Sequence, residues 1–197
     1  MKRFTYLLLG IVVLFTLSAC SSPKEQNDAP FTITKAKVFI THDKSLLGST
    51  GAKDDNGKEK QIVSNALYYK LDIKNNQKEN LHLSGNDEID LRLIPDDSLK
   101  NTSKDIVGVN IFSPNNKVYA KGISIQDFNS AKKGKIEFFY EVGATEENNE
   151  IPLSPSKAEL EKLKKEARHG ILVIYRNNKE IARYDLDTLK PGGKSTN

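Results

Sequence analysis

Residues 63–74 alternate between apolar and polar side chains, and this pattern constrains the fold more than any other feature of the chain. The apolar series occupies odd-numbered positions at Val63, Leu67, Tyr69, Leu71 and Ile73. A period of two with one polar side is typical of an antiparallel strand that packs on a single core. Asn75-Asn76 then predicts a turn at the end of this strand.

Other short runs predict further strands, which are separated by clusters of glycine, proline and asparagine. The expected strands are Phe31 to Ile40 with a bulge, Leu81 to Leu83, Ile89 to Leu93, Ile106 to Phe112, Val118 to Ile125, Ile136 to Val142, Ile171 to Arg176 and Glu180 to Leu186. The polar segment 42–61 predicts a mobile loop or a ragged hairpin. Asn177-Asn178 predicts a two-residue hairpin turn, because asparagine tolerates the positive φ that such a turn needs.

A helix is predicted at about residues 156–169, where the apolar period changes. Ser156 and Glu159 form a capping box, and Leu160, Leu163 and Ala167 share one helical face. The expected fold class is therefore mainly β: an immunoglobulin-like antiparallel β-sandwich with one α-helix in the C-terminal half.

The strand Tyr68 to Asn76, followed by Glu79-Asn80-Leu81-His82-Leu83, resembles a family of lipoprotein domains. It is similar to the immunoglobulin-like (telokin-like) domains of unknown function that occur in lipoproteins of Gram-positive bacteria. The resemblance implies a sandwich fold, and it carries no catalytic residues to this chain.

The N-terminal segment predicts a secretory signal, because Lys2 and Arg3 precede an apolar run from Leu7 to Leu17. Leu17-Ser18-Ala19-Cys20 then resembles a bacterial lipobox. The resemblance implies cleavage before Cys20 and lipidation of its sulfur. A retained transmembrane helix is the alternative, but the apolar stretch is shorter than the roughly 20 residues that span a bilayer.

These features predict four segments. Residues 1–19 are a lipoprotein signal peptide, 20–30 the lipidated cysteine and a flexible tether, 31–190 a single sandwich domain, and 191–197 a polar tail. Ten tether residues extend at most about 33 Å. The expected location is the outer face of the cell membrane, held by the lipid on Cys20, with the domain outside the cytoplasm.

Charge and cysteine content exclude several classes of function. Without Lys2 and Arg3, the chain has 28 basic and 26 acidic side chains, a net charge of +2, which gives no electrostatic reason to expect nucleic acid as a partner. Cys20 is the single cysteine. Once it is modified, the domain has no disulfide, no thiolate nucleophile and no thiolate metal site.

The histidines, His42, His82 and His169, have no metal-ligand spacing, so neither a metal nor another cofactor is expected. No nucleophile-elbow motif is present, and no enzymatic activity is expected.

Asp54, Asp55 and Glu59 are a candidate calcium site of low affinity, because hard oxygen ligands cluster there. An EF-hand alignment on Gly57 fails, since it puts Ala52 and Val63 at ligand positions.

Tyr68 and Phe139 are the candidate binding surface, because both should point away from the core on their strands. The alternative is that the helix covers this face through Leu160 and Leu163. The expected function is that of a non-enzymatic module that binds an envelope or secreted protein. A small-ligand-binding lipoprotein and an envelope enzyme or its accessory are the alternatives. The segment Val13 to Ala19 also resembles the peptide pheromones that some Gram-positive bacteria release from lipoprotein signals.

Overall fold

The computed structural model describes residues 29–53, 57–76, 88–126 and 132–192, and most of its regular structure is β-strand. The strands are β1 (Phe31–Thr41), β2 (Thr50–Lys53), β3 (Glu59–Ile62), β4 (Ser64–Asn75), β5 (Ile89–Pro95), β6 (Lys121–Gln126), β7 (Lys133–Ala144), β8 (Gly170–Arg176) and β9 (Lys179–Asp185). The helices are α1 (Lys44–Leu47), α2 (Asp97–Val107) and α3 (Lys157–Glu166).

Two antiparallel sheets enclose the core. The larger sheet has the strand order β1-β4-β7-β6, and the smaller sheet has the order β5-β8-β9. Strands β2 and β3 form a separate two-stranded ribbon, which is the ragged hairpin expected within residues 42–61. The prediction of a mainly β, antiparallel sandwich with a helix in the C-terminal half is confirmed.

Strand β4 is one of the two central strands of the larger sheet, and it buries one side, as its alternation predicts. Its inward side chains Leu67, Tyr69, Leu71 and Ile73 are all buried in the core. Strand β1 pairs with it through a register shift between Ile33 and Lys35, which is the predicted bulge.

The predicted strand from Ile106 to Phe112 is wrong. Helix α2 runs through Val107 and ends at Gly108, whose φ of 83° is the left-handed conformation that glycine adopts readily. The side chain of Asp96 caps its start by accepting a hydrogen bond from the backbone N–H of Leu99, 2.9 Å away. The described part of the chain therefore has three helices where one was expected, and β6 begins at Lys121.

Helix α3 lies within the predicted range 156–169 and has the predicted capping box between Ser156 and Glu159. Its buried residues Leu160 and Leu163 belong to the core that the two sheets share. The hydroxyl of Tyr69 donates a hydrogen bond of 2.8 Å to the carbonyl oxygen of Ala167, where the helix ends. Helix α3 is thus attached to the inner face of the larger sheet.

The hairpin between β8 and β9 turns at Asn177 and Asn178, as predicted. Their φ angles are 50° and 63°, in the left-handed region that this turn requires. The predicted strand at Leu81–Leu83 lies outside the described residues. Pro191, in the predicted polar tail, forms a bridge with Tyr184 of β9.

No helix within the described ranges is both long enough and apolar enough to cross a lipid bilayer.

Ser64 at the start of β4 provides a test of the packing. Its side chain is buried, and its hydroxyl has no hydrogen-bond partner among the described residues. Because an unpaired buried hydroxyl is destabilising, we expect Ser64→Ala to raise the free energy of unfolding by about 1 kcal/mol. Urea unfolding of the purified protein measures this change.

Ser103 is the matched control for Ser64→Ala. It is also buried, but its hydroxyl donates to the carbonyl oxygen of Val109 (2.9 Å) and accepts from the N–H of Ile111 (3.1 Å). Ser103→Ala should therefore lower the free energy of unfolding by about 1–2 kcal/mol. Equal losses in the two variants would contradict the interpretation of Ser64.

Candidate functional site

A cleft of about 970 Å³ opens where one edge of each sheet lies on the same side of the sandwich. Its walls come from edge strand β5, from the start of edge strand β6, and from the irregular segment 110–120 that connects α2 to β6. Three further segments complete the lining: Tyr140 and Glu141 of β7, Glu150 and Ile151 of the segment before α3, and Tyr175 of β8. The topology, rather than any local motif, brings these segments together.

The free edge of β5 is closed by side chains of the larger sheet. Lys121 Nζ donates to the carbonyl oxygen of Leu91 at 2.9 Å, and the N–H of Leu93 donates to Tyr140 Oη at 3.2 Å. These bonds satisfy backbone groups that an edge strand otherwise leaves open for another strand. A partner in the cleft would therefore contact side chains rather than extend this sheet.

The charged groups at the cleft bind one another. Asp90 accepts from Lys121 Nζ through Oδ1 and from Arg92 Nε through Oδ2, both at 2.7 Å. Partial burial acts to raise the pKa of Asp90, but hydrogen bonds and charges from Lys121 and Arg92 outweigh it and lower that pKa. The hydrogen bond to Asp90 raises the pKa of Arg92, whose guanidinium lies 4.6 Å from the centre of the Tyr175 ring.

Aromatic rings form the inner wall of the cleft. The Phe112 ring meets the Tyr140 ring edge to face, with their centres 4.9 Å apart. Burial raises the pKa of Tyr140 to about 12, although its bond with the N–H of Leu93 acts in the opposite direction. Burial also raises the pKa of Tyr119. Tyrosine offers both apolar area and a polar tip, which suits a site that contacts another molecule.

Segment 110–120 is fixed by short-range hydrogen bonds, so the cleft has a defined shape. Asn116 accepts from the N–H of Val118 (3.0 Å) and donates to the carbonyl oxygens of Tyr119 (3.3 Å) and Ile111 (3.4 Å). At the other end of the segment, the buried carboxylate of Glu141 accepts from the N–H of Ala120 at 3.1 Å.

The rim of the cleft carries exposed apolar side chains. Ile94 on β5 is 48 % exposed, and Val118 in segment 110–120 is 50 % exposed. Exposed apolar area beside an aromatic-lined cleft is a feature of interaction sites.

A second, shallower concavity of about 650 Å³ lies where β7 ends at Ala144, and it is lined by residues that include His42, Asn65 and Leu153. Gly143 is required in this region for two reasons. Its φ is 133°, a conformation that other residues rarely adopt, and a Cβ at this position would lie 2.6 Å from the Cα of Ser154. The site has fewer aromatic and charged groups than the cleft.

Tyr68 and Phe139, the predicted binding surface, are direct cross-strand neighbours on the outer side of the larger sheet. Their rings stack with centres 6.1 Å apart, and Phe39 of β1 extends the row at 5.2 Å from Tyr68. Helix α3 does not cover them, since Leu160 and Leu163 pack into the core. Tyr68 itself is only 4 % exposed, so its neighbours provide most of the accessible aromatic surface.

The side chain of Tyr68 also donates a hydrogen bond of 3.1 Å to Glu137 Oε2. Burial, followed by the charge of Glu137, raises the pKa of Tyr68 to about 12. For Glu137, partial burial acts to raise the pKa, but bonds from Lys70 and Tyr68 lower it overall.

The other predicted residues are not gathered into a site. Glu59 is exposed on β3, whereas Asp54 and Asp55 lie outside the described residues, as do Leu17, Ser18, Ala19 and Cys20. His42 is exposed, and His82 is outside the described ranges. His169 Nδ1 lies 2.9 Å from Glu166 Oε2, and a hydrogen bond from Ser98 is the main cause that lowers the pKa of Glu166.

The described residues contain no group of three or more histidine, cysteine or acidic side chains that could hold a metal ion.

Comparisons with known proteins do not assign the chain to a family. No protein-family model, no curated protein and no solved structure matches the chain.

The cleft was not predicted from the sequence. Its lining comes from residues 90–95, 110–121, 140–141, 150–151 and 175, which are far apart in the chain. One local sequence pattern does point to a part of the cleft. Pro-Asn-Asn at 114–116, between two apolar stretches, predicts a compact turn beside aromatic residues.

Proposed function

We propose that this chain is a lipid-anchored, extracytoplasmic binding module that holds a segment of a protein partner in its cleft. The observation that carries the proposal is the cleft of about 970 Å³ with an aromatic wall and the exposed apolar residues Ile94 and Val118 at its rim. Apolar anchors that enter such a cleft supply most of the energy in protein recognition.

The anchor is supported by the signal-like N-terminus and by the resemblance of Leu17-Ser18-Ala19-Cys20 to a lipobox. Two acyl chains on Cys20 would hold the protein on a bilayer, where a single chain binds only marginally. A short polar tether between Cys20 and β1 would keep the cleft near the membrane surface.

A binding role without catalysis is supported by the charges in the cleft. Asp90 is engaged by both Lys121 and Arg92, and it is held ionised by them. A general acid or base needs a pKa near the working pH, whereas the pKa of Asp90 is lowered. These groups are therefore suited to shaping the cleft.

A small-ligand-binding lipoprotein is the second candidate, and the size of the cleft favours it. The volume of about 970 Å³ falls at the upper end of the range of small-molecule sites, which is roughly 300–1,000 Å³.

Site-specific photocrosslinking in intact cells tests the proposal. A benzophenone amino acid at Val118, on the rim of the cleft, should capture one dominant protein. Ile94→Glu should reduce this capture at least about tenfold, because it places a charge on the apolar rim. Quantitative mass spectrometry of the adduct measures both effects.

Leu46 provides the matched control for this experiment, since it is an exposed apolar residue on α1, away from the cleft. The crosslinker at Leu46 should not capture the same protein, and Leu46→Glu should leave capture from Val118 unchanged. Equal capture from both positions would refute the cleft as the site. Adducts with a small molecule alone would favour the second candidate.

A further inference from the structure

The outer side of the larger sheet has a lysine-rich half, which we call the basic face. It carries six lysines and two carboxylates, contributed by alternate positions of β1, β4 and β7: Lys35, Lys37, Lys70, Lys74, Lys133, Lys135, Asp72 and Glu137. These side chains lie opposite the core, and each is exposed or partly exposed. No described helix or strand packs over them.

The basic face is more positive than the rest of the chain. Six lysines against two carboxylates give it a net charge of +4, whereas the chain from Cys20 onward has a net charge of +2. The remaining residues therefore sum to −2. One ion pair within the face is short, Lys70 Nζ to Glu137 at 2.6 Å, so most of its lysines are available to an external anion.

The basic face lies at the end of the sheet where the tether enters. Phe31, the first residue of β1, is paired with Asn75 at the end of β4, and Lys74 is paired with Lys133 one step away. Only ten residues separate Phe31 from Cys20, and they extend at most about 33 Å. A chain lipidated at Cys20 would therefore keep this end of the sheet close to the headgroups.

Aromatic rings continue the same surface beyond the lysines. Phe39, Tyr68 and Phe139 form a row across three strands, with Lys37 Nζ 5.2 Å from the centre of the Phe39 ring. Phe139 extends over the fourth strand, because a Cβ on Gly122 would lie 2.2 Å from its ring. Aromatic rings beside lysines favour the boundary between headgroups and acyl chains.

We propose that the basic face docks on the anionic phospholipid headgroups of the membrane to which the chain is anchored. The inference rests on the lipid anchor of the proposed function, which keeps the face within reach of the bilayer. Each lysine near an anionic surface strengthens binding by about fivefold, and salt weakens the attraction. Docking orients the domain and leaves the cleft, at the β5 and β6 edges, beside the membrane.

Amine labelling of the lipidated chain in vesicles tests this orientation. The chain is purified from membranes of the producing cells and reconstituted in phosphatidylcholine vesicles with or without phosphatidylglycerol. Acetylation of the basic-face lysines should be at least about threefold slower in the anionic vesicles, and salt should abolish the difference. Exposed Lys104 on α2 and Lys179 on β9 should be labelled equally in both.

Charge reversal supplies the matched variants. The double variant Lys35→Glu, Lys37→Glu should remove the protection of Lys70 and Lys135, whereas Lys104→Glu with Lys179→Glu should preserve it. Equal labelling of the basic face in both kinds of vesicle would overturn the inference. Protection in intact cells without protection in anionic vesicles would also overturn it, because a protein would then be the occupant.

Flotation of the same samples distinguishes a failure of the docking inference from a failure of the lipid anchor. A lipidated chain floats with vesicles of both compositions. A chain that floats only with anionic vesicles would refute the lipid anchor while it supports the basic face. A chain that floats with neither would refute both.

Discussion

Replacing Cys20 with alanine is expected to release the protein from the membrane into the medium, as unlipidated precursor or as shed product. The physical reason is that the acyl chains supply the anchoring energy, about 0.8 kcal/mol for each buried CH₂ group. Fractionation of cells and medium measures the release. Mass spectrometry of the N-terminal peptide should show a diacylglyceryl group on Cys20 in the parent protein and none in the variant.

The neighbouring residue provides the control for Cys20→Ala. Ser21→Ala changes a polar residue of the tether without removing the thiol, so lipidation and membrane retention should be unchanged. Membrane association of Cys20→Ala that persists at high salt would refute the anchor. The basic face is expected to add to retention only at low salt, because exposed charges are screened at high ionic strength.

The alternation at residues 63–74 predicted β4, because burial of one side of a strand leaves a pattern in the sequence. Val63 is the exception, since it precedes the strand and is only partly buried. The same reasoning was wrong at residues 106–112. There Ile106 and Val107 end helix α2, and Ile111 and Phe112 belong to the turn after it. Helix α2 buries only Leu99, Thr102 and Ser103. Its helical pattern of apolar residues is therefore weaker in the sequence than the run of β-branched residues that follows, and that run favours a strand.

The positions of the candidate site residues depend partly on strand register and partly on tertiary structure. Tyr68 and Phe139 face outward as alternation predicts, and the pairing of β4 with β7 makes them direct neighbours. Whether they bind a partner stays a prediction. The cleft could not be predicted, because it depends on which strands become sheet edges, and β5 and β6 acquire that position only through the topology.

Replacing Tyr69 with alanine is expected to have the largest effect on stability. Tyr69 is fully buried, its ring stacks on Phe138 with centres 4.5 Å apart, and its hydroxyl bonds to the carbonyl oxygen of Ala167. Loss of a buried aromatic side chain costs about 3–5 kcal/mol through the cavity that it leaves. Urea unfolding should show this loss as a lower midpoint.

Tyr69→Phe separates the hydroxyl from the ring. Phenylalanine keeps the packing on Phe138 but leaves the carbonyl oxygen of Ala167 without its buried donor, so we expect a loss of about 1–2 kcal/mol. Burial raises the pKa of Tyr69 well above its usual value, which is consistent with a neutral hydroxyl that donates this bond at physiological pH.

Tyr119→Phe is the matched control for Tyr69→Phe. Most of Tyr119 is also buried, but its hydroxyl is not a buried unpaired group and has no hydrogen-bond partner among the described residues, which leaves it accessible to solvent. Removal of that hydroxyl should therefore change the free energy of unfolding by no more than about 0.5 kcal/mol. A Tyr69→Phe loss as small as that of Tyr119→Phe would show that the bond to Ala167 does not fasten α3 to the sheet. The attachment of the helix would then depend on the packing of Leu160 and Leu163 in the core.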